Sequence, residues 1–464
     1  MSKEEKILTF LIFCLAIVIR VFLIFNKDLW FDEAIAYFIA IESIPNLIQA
    51  ALADNQLPFF YLILHFFIKL LGDNEFILRL PSLLANLASL VLIYLWGKQL
   101  FKDKGSFYLL ALASFSPLMV YFSVEARPYS LLTLLTLLSS FLLVKFIKKS
   151  SFKIGFGFFL CLSLSLYTHY FAYLLFIPYF LIAWIYAKKA LFYLAISFLI
   201  SLPIISSYLY FPHPAIFSIN PLLGLVATFA SFLIGGVGSI SLRSYLIDSH
   251  ILTRLLNFIT LALGLFLAFR GTKLAFNSNH LRSIILILFL PIFACLLISF
   301  FIPLYSARAF SFLAPYFFVL LIFDLNKSKK ILILPLLAFL VTINILPFID
   351  PKLSYPQIKH ATKAIGDQNT ILHTSVLTYY PFKFYSPKQS LLIAQNPLSS
   401  KTIEIIGGKI SQIPLKKEIY LVNIDYGNNP REVLRVNKII EKEYRLIGQK
   451  RLGSITLYHY NQHQ

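Results

Sequence analysis

Long apolar runs recur along the first 350 residues and constrain the fold more than any other feature of this sequence. A helix that crosses the hydrocarbon core of a bilayer needs roughly 20 predominantly apolar residues. The 464 residues are 58% hydrophobic and only 13% charged, which excludes an ordinary soluble protein of this size. The candidate spans are 7–25, 76–101, 106–122, 128–147, 152–168, 170–187, 190–210, 251–270, 281–302, 308–324 and 331–349. We therefore predict an all-α polytopic membrane protein with about eleven transmembrane helices.

The connectors between these runs alternate in charge. Loops rich in lysine and arginine face the cytoplasm, and here they recur at every second connector. The basic residues of these connectors are Lys98, Lys102, Lys104, Lys145, Lys148, Lys149, Lys153, Lys188, Lys189, Arg270, Lys273, Lys327, Lys329 and Lys330. With the N-terminus in the cytoplasm, residues 351–464 are expected outside the cell membrane. Residues 7–25 lack a small-residue cleavage site and are predicted to remain as the first helix.

Two further apolar stretches do not fit this alternation. Residues 58–71 are too short to cross a bilayer and suit a helix in the membrane interface. Residues 221–240 are long enough but contain several glycines, and counting them as a crossing would place every later basic loop outside. We predict that 221–240 form a re-entrant or surface segment.

The chain changes character after residue 350. Short β-branched or alternating runs are separated by Gly, Pro and Asn turns, and two stretches between them have helix-like spacing. The predicted strands and helices include 370–372, 418–422, 454–458, 356–366 and 431–444. We predict two domains: a membrane domain at 1–350 and a small extracytoplasmic α/β domain at 351–464. The second domain carries 16 basic and 7 acidic residues.

Cysteine placement and net charge bear on partners. Cys14, Cys161 and Cys295 each lie inside an apolar run, and none shares a short spacing with a histidine. A disulfide framework and a zinc cluster are therefore not expected. The formal net charge of +20 would suggest nucleic acid in a soluble chain. Because the basic residues here fall between spans, we expect membrane lipids as partners and no nucleic acid.

Carboxylates concentrate in the predicted external loop at residues 26–79. The sequence LWFDEA follows the first span directly, so Trp30 and Phe31 are expected to hold Asp32 and Glu33 at the depth of the membrane interface. A carboxylate at a membrane mouth is well placed to take a proton from an incoming hydroxyl group. Asp32 also fits the N-cap of a helix that begins with EAIAYFIA, a role that does not exclude catalysis.

Two other predicted external turns carry isolated cations. The sequence VEARPYSLL places Glu125 and Arg127 before Pro128, which is a typical first residue of a helix, and PLYSARAFSFL places Arg308 at the same rim. An arginine near the end of a span often only snorkels towards water. Two rim arginines opposite a carboxylate-rich loop favour instead a site for an anionic phosphate head group.

His169 and Arg20 are isolated polar residues among apolar runs. His169, in LYTHYFAYLL, falls at a short turn and is either a hydrogen-bonded structural residue or a part of the site. Arg20 lies inside the first span and is expected to snorkel outward.

The motifs LWFDEA, LPFFYLILHFFIKLLGDNEFILRLPSLL, VEARPYSLL and YTHYFAYLL together resemble glycosyltransferase family 39. This is the dolichyl-phosphate-mannose–protein mannosyltransferase-like group of the GT-C superfamily. The resemblance covers residues 5–350, is strongest over 25–190, and is most specific at the acidic pair and from Gly72 to Ser82. It implies a GT-C fold and the transfer of a sugar from a polyprenyl phosphate to an envelope glycan, lipid or protein acceptor.

The resemblance also implies roles for individual residues. Asp32 corresponds to the family's catalytic aspartate, with Glu33 beside it. Arg127 corresponds to the family's arginine before Pro-Tyr, and Arg308 to its late rim arginine. The chemistry of the transfer favours Asp32 as the base and the two arginines as the groups that stabilise the departing phosphate. The residues expected to hold the acceptor or support the site are Asp54, Gln56, Glu125, Tyr129 and His169.

The sequence departs from the family pattern at two places. Many relatives have His-Pro-Pro where this chain has Gln56, Leu57 and Pro58, which removes support for a histidine in the acceptor site. Many also have a tyrosine after the late arginine, where this chain has Ala309. The resemblance therefore supports Arg308 less strongly than Arg127.

The chemistry of such a reaction fits a site on the outer face. Nucleotide sugars are made in the cytosol, so an outward-facing transferase needs a donor already carried across the membrane on a lipid. Direct displacement by the acceptor hydroxyl inverts the anomeric configuration. The sequence contains no Asp-x-Asp pair, so no divalent metal or other cofactor is required by it. The alternatives are a flippase for lipid-linked saccharides, which would be expected to carry ionisable residues near mid-span, and an oligosaccharide polymerase or ligase.

Overall fold

The computed structural model describes most of the chain. The described residues are 3–101, 105–210, 220–236, 241–276, 279–328, 333–349, 353, 355–366, 369–393, 400–407, 412–413, 416–424, 430–452 and 455–463. Four lysines of the predicted basic loops lie outside these residues: Lys102, Lys104, Lys329 and Lys330.

The first 349 residues form α-helices joined by short connectors. They are α1 (Lys3–Asn26), α2 (Phe31–Ala40), α3 (Ile44–Ala53), α4 (Pro58–Leu71), α5 (Glu75–Leu100), α6 (Gly105–Phe115), α7 (Pro117–Ser123), α8 (Tyr129–Lys148), α9 (Phe152–Leu166), α10 (Phe176–Tyr186), α11 (Ala190–Tyr210), α12 (Pro221–Ile234), α13 (Ile251–Ala275), α14 (Asn279–Ser299), α15 (Ala314–Ser328) and α16 (Ile333–Ile349). Short 3₁₀ helices at Tyr170–Leu175 and Ala307–Leu313 precede α10 and α15, and a π-helical turn at Ser244–Asp248 precedes α13.

Six helices in the described part of the chain are long and apolar enough to cross a membrane: α1, α5, α8, α11, α13 and α14. Helices α6 and α7 meet at an angle of 58° and make a seventh span if they are counted as one. The other predicted spans coincide with shorter apolar helices at Phe152–Leu166, Tyr170–Tyr186, Ala307–Phe323 and Leu334–Ile349. The all-α polytopic architecture is thus confirmed, whereas a total of eleven crossings stays a prediction because these four helices are short for the hydrocarbon core.

The two stretches that did not fit as spans are both helical. Helix α4 buries Phe60, Tyr61 and Leu64 near its start and exposes Leu70 and Leu71 at its end, as an interfacial helix would. Helix α12 has 14 residues and ends at Gly235, which has a φ of +72°. Its length of about 21 Å is too short to cross the hydrocarbon core. The re-entrant or surface position of 221–240 stays a prediction, and residues 237–240 lie outside the described residues.

Close packing and buried hydrogen bonds hold the bundle together. A Cβ at Gly271 of α13 would lie 1.9 Å from the carbonyl oxygen of Leu320, so only glycine allows α13 and α15 to approach this closely. Arg20 does not snorkel, which makes that expectation wrong. Its guanidinium is fully buried and donates to Asn86 Oδ1 at 3.0 Å and to the carbonyl oxygen of Ser114 at 3.1 Å, which link α1 to α5 and α6.

The C-terminal part is the predicted α/β unit. Its strands and helices are α17 (Ile358–Ile365), β1 (Thr370–His373), α18 (Val376–Tyr385), β2 (Ser390–Leu392), α19 (Ser400–Ile406), β3 (Glu418–Ile424), α20 (Pro430–Glu443), β4 (Tyr444–Leu452) and β5 (Ile455–Gln462). The sheet has the order β2-β1-β3-β5-β4, in which β1 is parallel to β2 and β3, and β5 is antiparallel to β3 and β4. Apolar clusters cover both faces of this sheet.

This α/β unit packs on the loop helices α2, α3 and α4 through a shared apolar cluster that includes Ile39, Phe60 and Tyr380. The contact lies at the end of the bundle where α5 and α8 begin. Lys98 and Lys148 lie in the last turns of these two helices, and 20 residues of α8 separate the ends by about 30 Å. Lys98 and Lys148 therefore lie at the end of the bundle opposite the α/β unit.

Candidate active site

A cavity of about 380 Å³ opens at the end of the bundle where α8 begins. Asn55, Gln56, His169, Ser306 and Arg308 form its polar end. The remaining walls are largely apolar and come from α11, α14 and the 3₁₀ helix before α10; they include Tyr173, Leu174, Ile204, Ile205, Ile298 and Leu304. Its volume lies in the range of small-molecule sites, and its lining suits an amphiphile with a polar head and an apolar chain.

Asp32 lies beside the polar end of this cavity. Helix α2 begins at Phe31 with Trp30 as its N-cap, so Asp32 is in the first turn and the N-cap interpretation is wrong by two residues. The position is favourable for a carboxylate because the helix N-terminus carries a partial positive charge. Asp32 Oδ2 accepts a hydrogen bond from Arg308 Nη1 at 2.9 Å, and the two side chains are 14% and 40% exposed. The carboxylate is therefore held in place yet remains reachable.

Arg127 enters the same region from the turn between α7 and α8. Its Nη1 donates to Tyr61 Oη at 3.1 Å and to the carbonyl oxygen of Asp32 at 3.5 Å. Its Nε is buried and has no hydrogen-bond partner among the described residues. This arginine is buried among polar groups instead of snorkelling.

Glu33 is adjacent to Asp32 in sequence but points into a different environment. It is fully buried and accepts from Arg79 Nε at 2.7 Å, from Arg79 Nη2 at 2.8 Å and from the backbone N–H of Ala126 at 3.1 Å. Burial raises the pKa of Glu33, but pairing with Arg79 and Lys27 outweighs it and keeps the pKa below its ordinary value. Both carboxylate oxygens are thus engaged in a buried ion pair.

Glu125 has a comparable position. Its carboxylate accepts hydrogen bonds from Lys27 Nζ and from Trp30 Nε1, which ties the turn after α7 to the residues before α2. Lys27 and Arg79 were not predicted as site residues from the sequence. The available signal was the pair of cations that flank the acidic loop, at the end of α1 and in the first turns of α5.

Asp54 and Gln56 lie at the turn between α3 and α4. Gln56 lines the cavity. Asp54 is the C-cap of α3, and burial raises its pKa to about 7, although Arg127 and Arg308 act in the opposite direction. Asp54 therefore titrates near neutral pH beside Asp32.

Tyr129 and His169 form another wall of the polar end, with ring centroids 5.7 Å apart. His169 Nδ1 accepts from the backbone N–H of Phe171 at 3.1 Å, so the proton of the neutral ring is on Nε2. Burial, together with Arg127 and Arg308, lowers the pKa of His169 to about 3. The histidine thus caps a 3₁₀ helix and offers a neutral N–H donor at the cavity.

The net charge around the cavity depends on whether Asp54 is protonated. Glu33 and Glu125 are paired with buried cations, which leaves Arg127 and Arg308 facing Asp32. With Asp54 protonated, this group carries one net positive charge and can accept an anion.

Comparison with known proteins agrees with the resemblance seen in the sequence. The family model of dolichyl-phosphate-mannose-protein mannosyltransferase matches residues 55–211, a segment that includes Arg127 and His169 and ends before Arg308. The crystal structure of ArnT from Cupriavidus metallidurans in the apo state is similar with a TM-score of 0.61 at 10% identity, covering 97% of each chain. The structure of the same protein bound to undecaprenyl phosphate has a TM-score of 0.52 at 10% identity and covers 99% of this chain and 98% of that chain. No curated protein matches the sequence. The fold is of the GT-C type, as the resemblance implied.

Proposed function

We propose that this protein is an inverting glycosyltransferase that moves a sugar from a polyprenyl-phosphate donor to an envelope glycan, lipid or protein acceptor. The observation that carries the proposal is the cavity, whose arginine-lined polar end continues into apolar walls between helices. A polyprenyl phosphate has the same division, with an anionic head and an apolar chain. The mannosyltransferase family model and the similar structure that contains undecaprenyl phosphate support the same ligand class.

In this proposal, Arg127 and Arg308 bind the donor phosphate. Arg127 contributes its unpartnered Nε, and Arg308 lines the cavity next to it. When the bond between the anomeric carbon and the phosphate oxygen breaks, negative charge develops on the departing polyprenyl phosphate. Fixed guanidinium groups stabilise such charge because they are already oriented before the reaction.

Asp32 acts as the general base. The acceptor hydroxyl oxygen forms a bond to the anomeric carbon from the side opposite the phosphate, and Asp32 takes the hydroxyl proton. This displacement inverts the configuration at the anomeric carbon. Glu33 and Glu125 act as positioning residues, since their buried pairs fix the segment that carries Asp32.

We propose that the step needs no divalent metal, because the two arginines supply the positive charge that the leaving phosphate requires. Activity is then expected to persist in EDTA. A loss that added Mg²⁺ or Mn²⁺ restores would contradict this part of the proposal.

We also propose that the site faces outward from the cell membrane, with the N-terminus in the cytoplasm. The lysines at the opposite end of the bundle support this orientation. A reporter active only in the cytoplasm, fused after Gln464, should be silent, and a strong signal would reverse the assignment.

The decisive experiment uses purified protein with envelope extract and radiolabelled polyprenyl-phosphate sugars, in parallel with diphosphate-linked oligosaccharides. We expect label to move from a monophosphate donor into an acceptor with inverted configuration. Transfer only from a diphosphate donor would indicate a polymerase or ligase. Movement of the labelled lipid across proteoliposomes without a product would indicate a flippase.

A further inference from the structure

The turn between α3 and α4 has a backbone that favours glycine but contains Asn55. Asn55 has a φ of +56°, and its N–H donates to the carbonyl oxygen of Leu52 at 3.1 Å. The N–H of Gln56 donates to the carbonyl oxygen of Ala51 at 2.8 Å. These two bonds form a Schellman motif, in which glycine is the usual residue at the left-handed position. The turn itself therefore needs no side chain at residue 55.

The Asn55 side chain instead lines the cavity. Its Oδ1 is buried and has no hydrogen-bond partner among the described residues. A buried acceptor without a donor is unfavourable, and glycine would avoid it while satisfying the turn. Asparagine is the residue other than glycine that most readily adopts a left-handed φ, so the turn tolerates it. The feature that points to a ligand is the amide group at the cavity wall, whose oxygen has no partner among the described residues.

The neighbours of Asn55 restrict what this ligand can be. Arg308 lies at the same polar end and suits the phosphate, whereas the apolar walls suit the lipid chain. The group of the donor between its phosphate and the acceptor is the sugar, and its hydroxyl groups both donate and accept hydrogen bonds. An amide side chain matches this chemistry because it also presents one acceptor and two N–H donors.

We propose that Asn55 is a specificity-determining residue whose side-chain amide hydrogen-bonds a hydroxyl group of the transferred sugar. The proposal rests on the proposed function and narrows the donor to sugars with a free hydroxyl at the position that faces Asn55. A sugar that is deoxygenated or acylated at this position would be a poor substrate.

The test combines variants of Asn55 with donors that lack single hydroxyl groups. Asn55→Gly removes the side chain and preserves the left-handed backbone, and Asn55→Asp keeps an oxygen acceptor. Asn46→Asp, at an exposed position of the same helix α3, controls for the added charge. The measurements are kcat/KM for the best polyprenyl-phosphate sugar and its monodeoxy analogues, and inhibition by sugar-free polyprenyl phosphate.

We expect Asn55→Gly to lower kcat/KM for the complete sugar by about tenfold. For one monodeoxy donor the same variant should cost almost nothing, because the partner hydroxyl is already missing. Asn55→Asp should recover part of the rate, while inhibition by sugar-free polyprenyl phosphate stays unchanged in both variants. Thermal stability of Asn55→Gly should equal or exceed that of the parent protein.

Two results would overturn the inference. An unchanged kcat/KM in Asn55→Gly would mean that the Asn55 side chain does not interact with the sugar. An equal loss of kcat/KM with every deoxy donor would mean that the role of Asn55 is structural. Both outcomes leave the proposed function intact, because the parent protein still transfers sugar. If the parent transfers from no polyprenyl-phosphate donor, the proposed function fails and this inference fails with it.

Discussion

Replacing Asp32 with asparagine tests the proposed chemistry while changing the side chain very little. Asparagine has nearly the same shape and can still accept the hydrogen bond from Arg308, but it cannot take a proton from the acceptor. Loss of a positioned general base costs roughly 10²–10⁴-fold in rate, which corresponds to about 3 to 5.5 kcal/mol of transition-state stabilisation. We expect turnover to fall by this factor, with donor binding retained.

The same substitution should leave stability nearly unchanged. The Asp32–Arg308 pair is partly exposed, at 14% and 40%, and pairs of this kind contribute below about 1 kcal/mol. Glu33→Gln gives the opposite result, because it breaks a fully buried ion pair with Arg79, a change that typically costs about 3–5 kcal/mol of folding free energy. Asp32→Asn is therefore expected to lose most of its turnover but to remain stable. Glu33→Gln is expected to be destabilised, and its folded fraction should lose less turnover than Asp32→Asn.

Single-turnover transfer from a radiolabelled donor and thermal unfolding in detergent measure the two quantities separately. Asp73→Asn is the matched control, since Asp73 belongs to the same loop, is absent from the cavity lining, and accepts a hydrogen bond from Tyr37 at 3.0 Å. If Asp32→Asn transfers sugar at close to the parental rate, Asp32 is not the base and the proposed mechanism is wrong.

The remaining predictions concern the phosphate site, its pH dependence and the α/β unit. Arg127→Ala should weaken binding of polyprenyl phosphate by about 10- to 100-fold in a direct binding assay, and Arg127→Lys should recover only part of it; unchanged affinity would remove Arg127 from the site. Burial raises the pKa of Asp54 to about 7, so the donor KM should rise as the pH increases through 7 and Asp54 becomes negatively charged. Asp54→Asn should flatten this pH profile. If the variant keeps the pH dependence, another group causes it. Tyr385 donates to Glu75 and accepts from the N–H of Leu29, so Tyr385→Phe should lower kcat more than it changes donor KM, whereas equal activity would separate the α/β unit from catalysis.

Hydrophobicity predicted most of the helical architecture because it acts over many residues, whereas the orientation inferred from loop charge stays a prediction. Each predicted apolar run coincides with helical structure, and the α/β unit follows its predicted strands and helices. Single boundaries were less predictable. Trp30 and not Asp32 occupies the N-cap position of α2, without a side-chain capping bond, and its indole N–H donates instead to Glu125. The residues near Trp30 in the sequence do not indicate that Glu125, 95 residues later, is its partner.

The sequence indicated which residues could meet at one end of the bundle, but not how they pair, and their roles stay predictions. The sequence places Asp32, Arg127 and Arg308 at predicted external turns, and the fold brings them into mutual contact. Arg79, 46 residues from Glu33, pairs with that acid, whereas the adjacent Asp32 pairs with Arg308, which lines the cavity. Asn55 was not identified because its significance depends on a left-handed φ and an unpartnered oxygen, both visible only in three dimensions.

Arg79 connects the membrane bundle to the segment that carries Asp32, the proposed base. From the first turns of α5 its guanidinium donates five hydrogen bonds to the segment 24–33, with acceptors on Ile24, Lys27, Asp28 and Glu33. The α/β unit holds the same segment from the other side, since the N–H of Lys359 donates to Asp28 Oδ2 at 2.8 Å and Tyr385 accepts from the N–H of Leu29 at 2.8 Å. A displacement of about 1 Å is enough to cost a factor of roughly 10² in an oriented reaction. The α/β unit is therefore part of the frame that fixes the position of Asp32. Its removal should lower the rate even though none of its described residues lines the cavity.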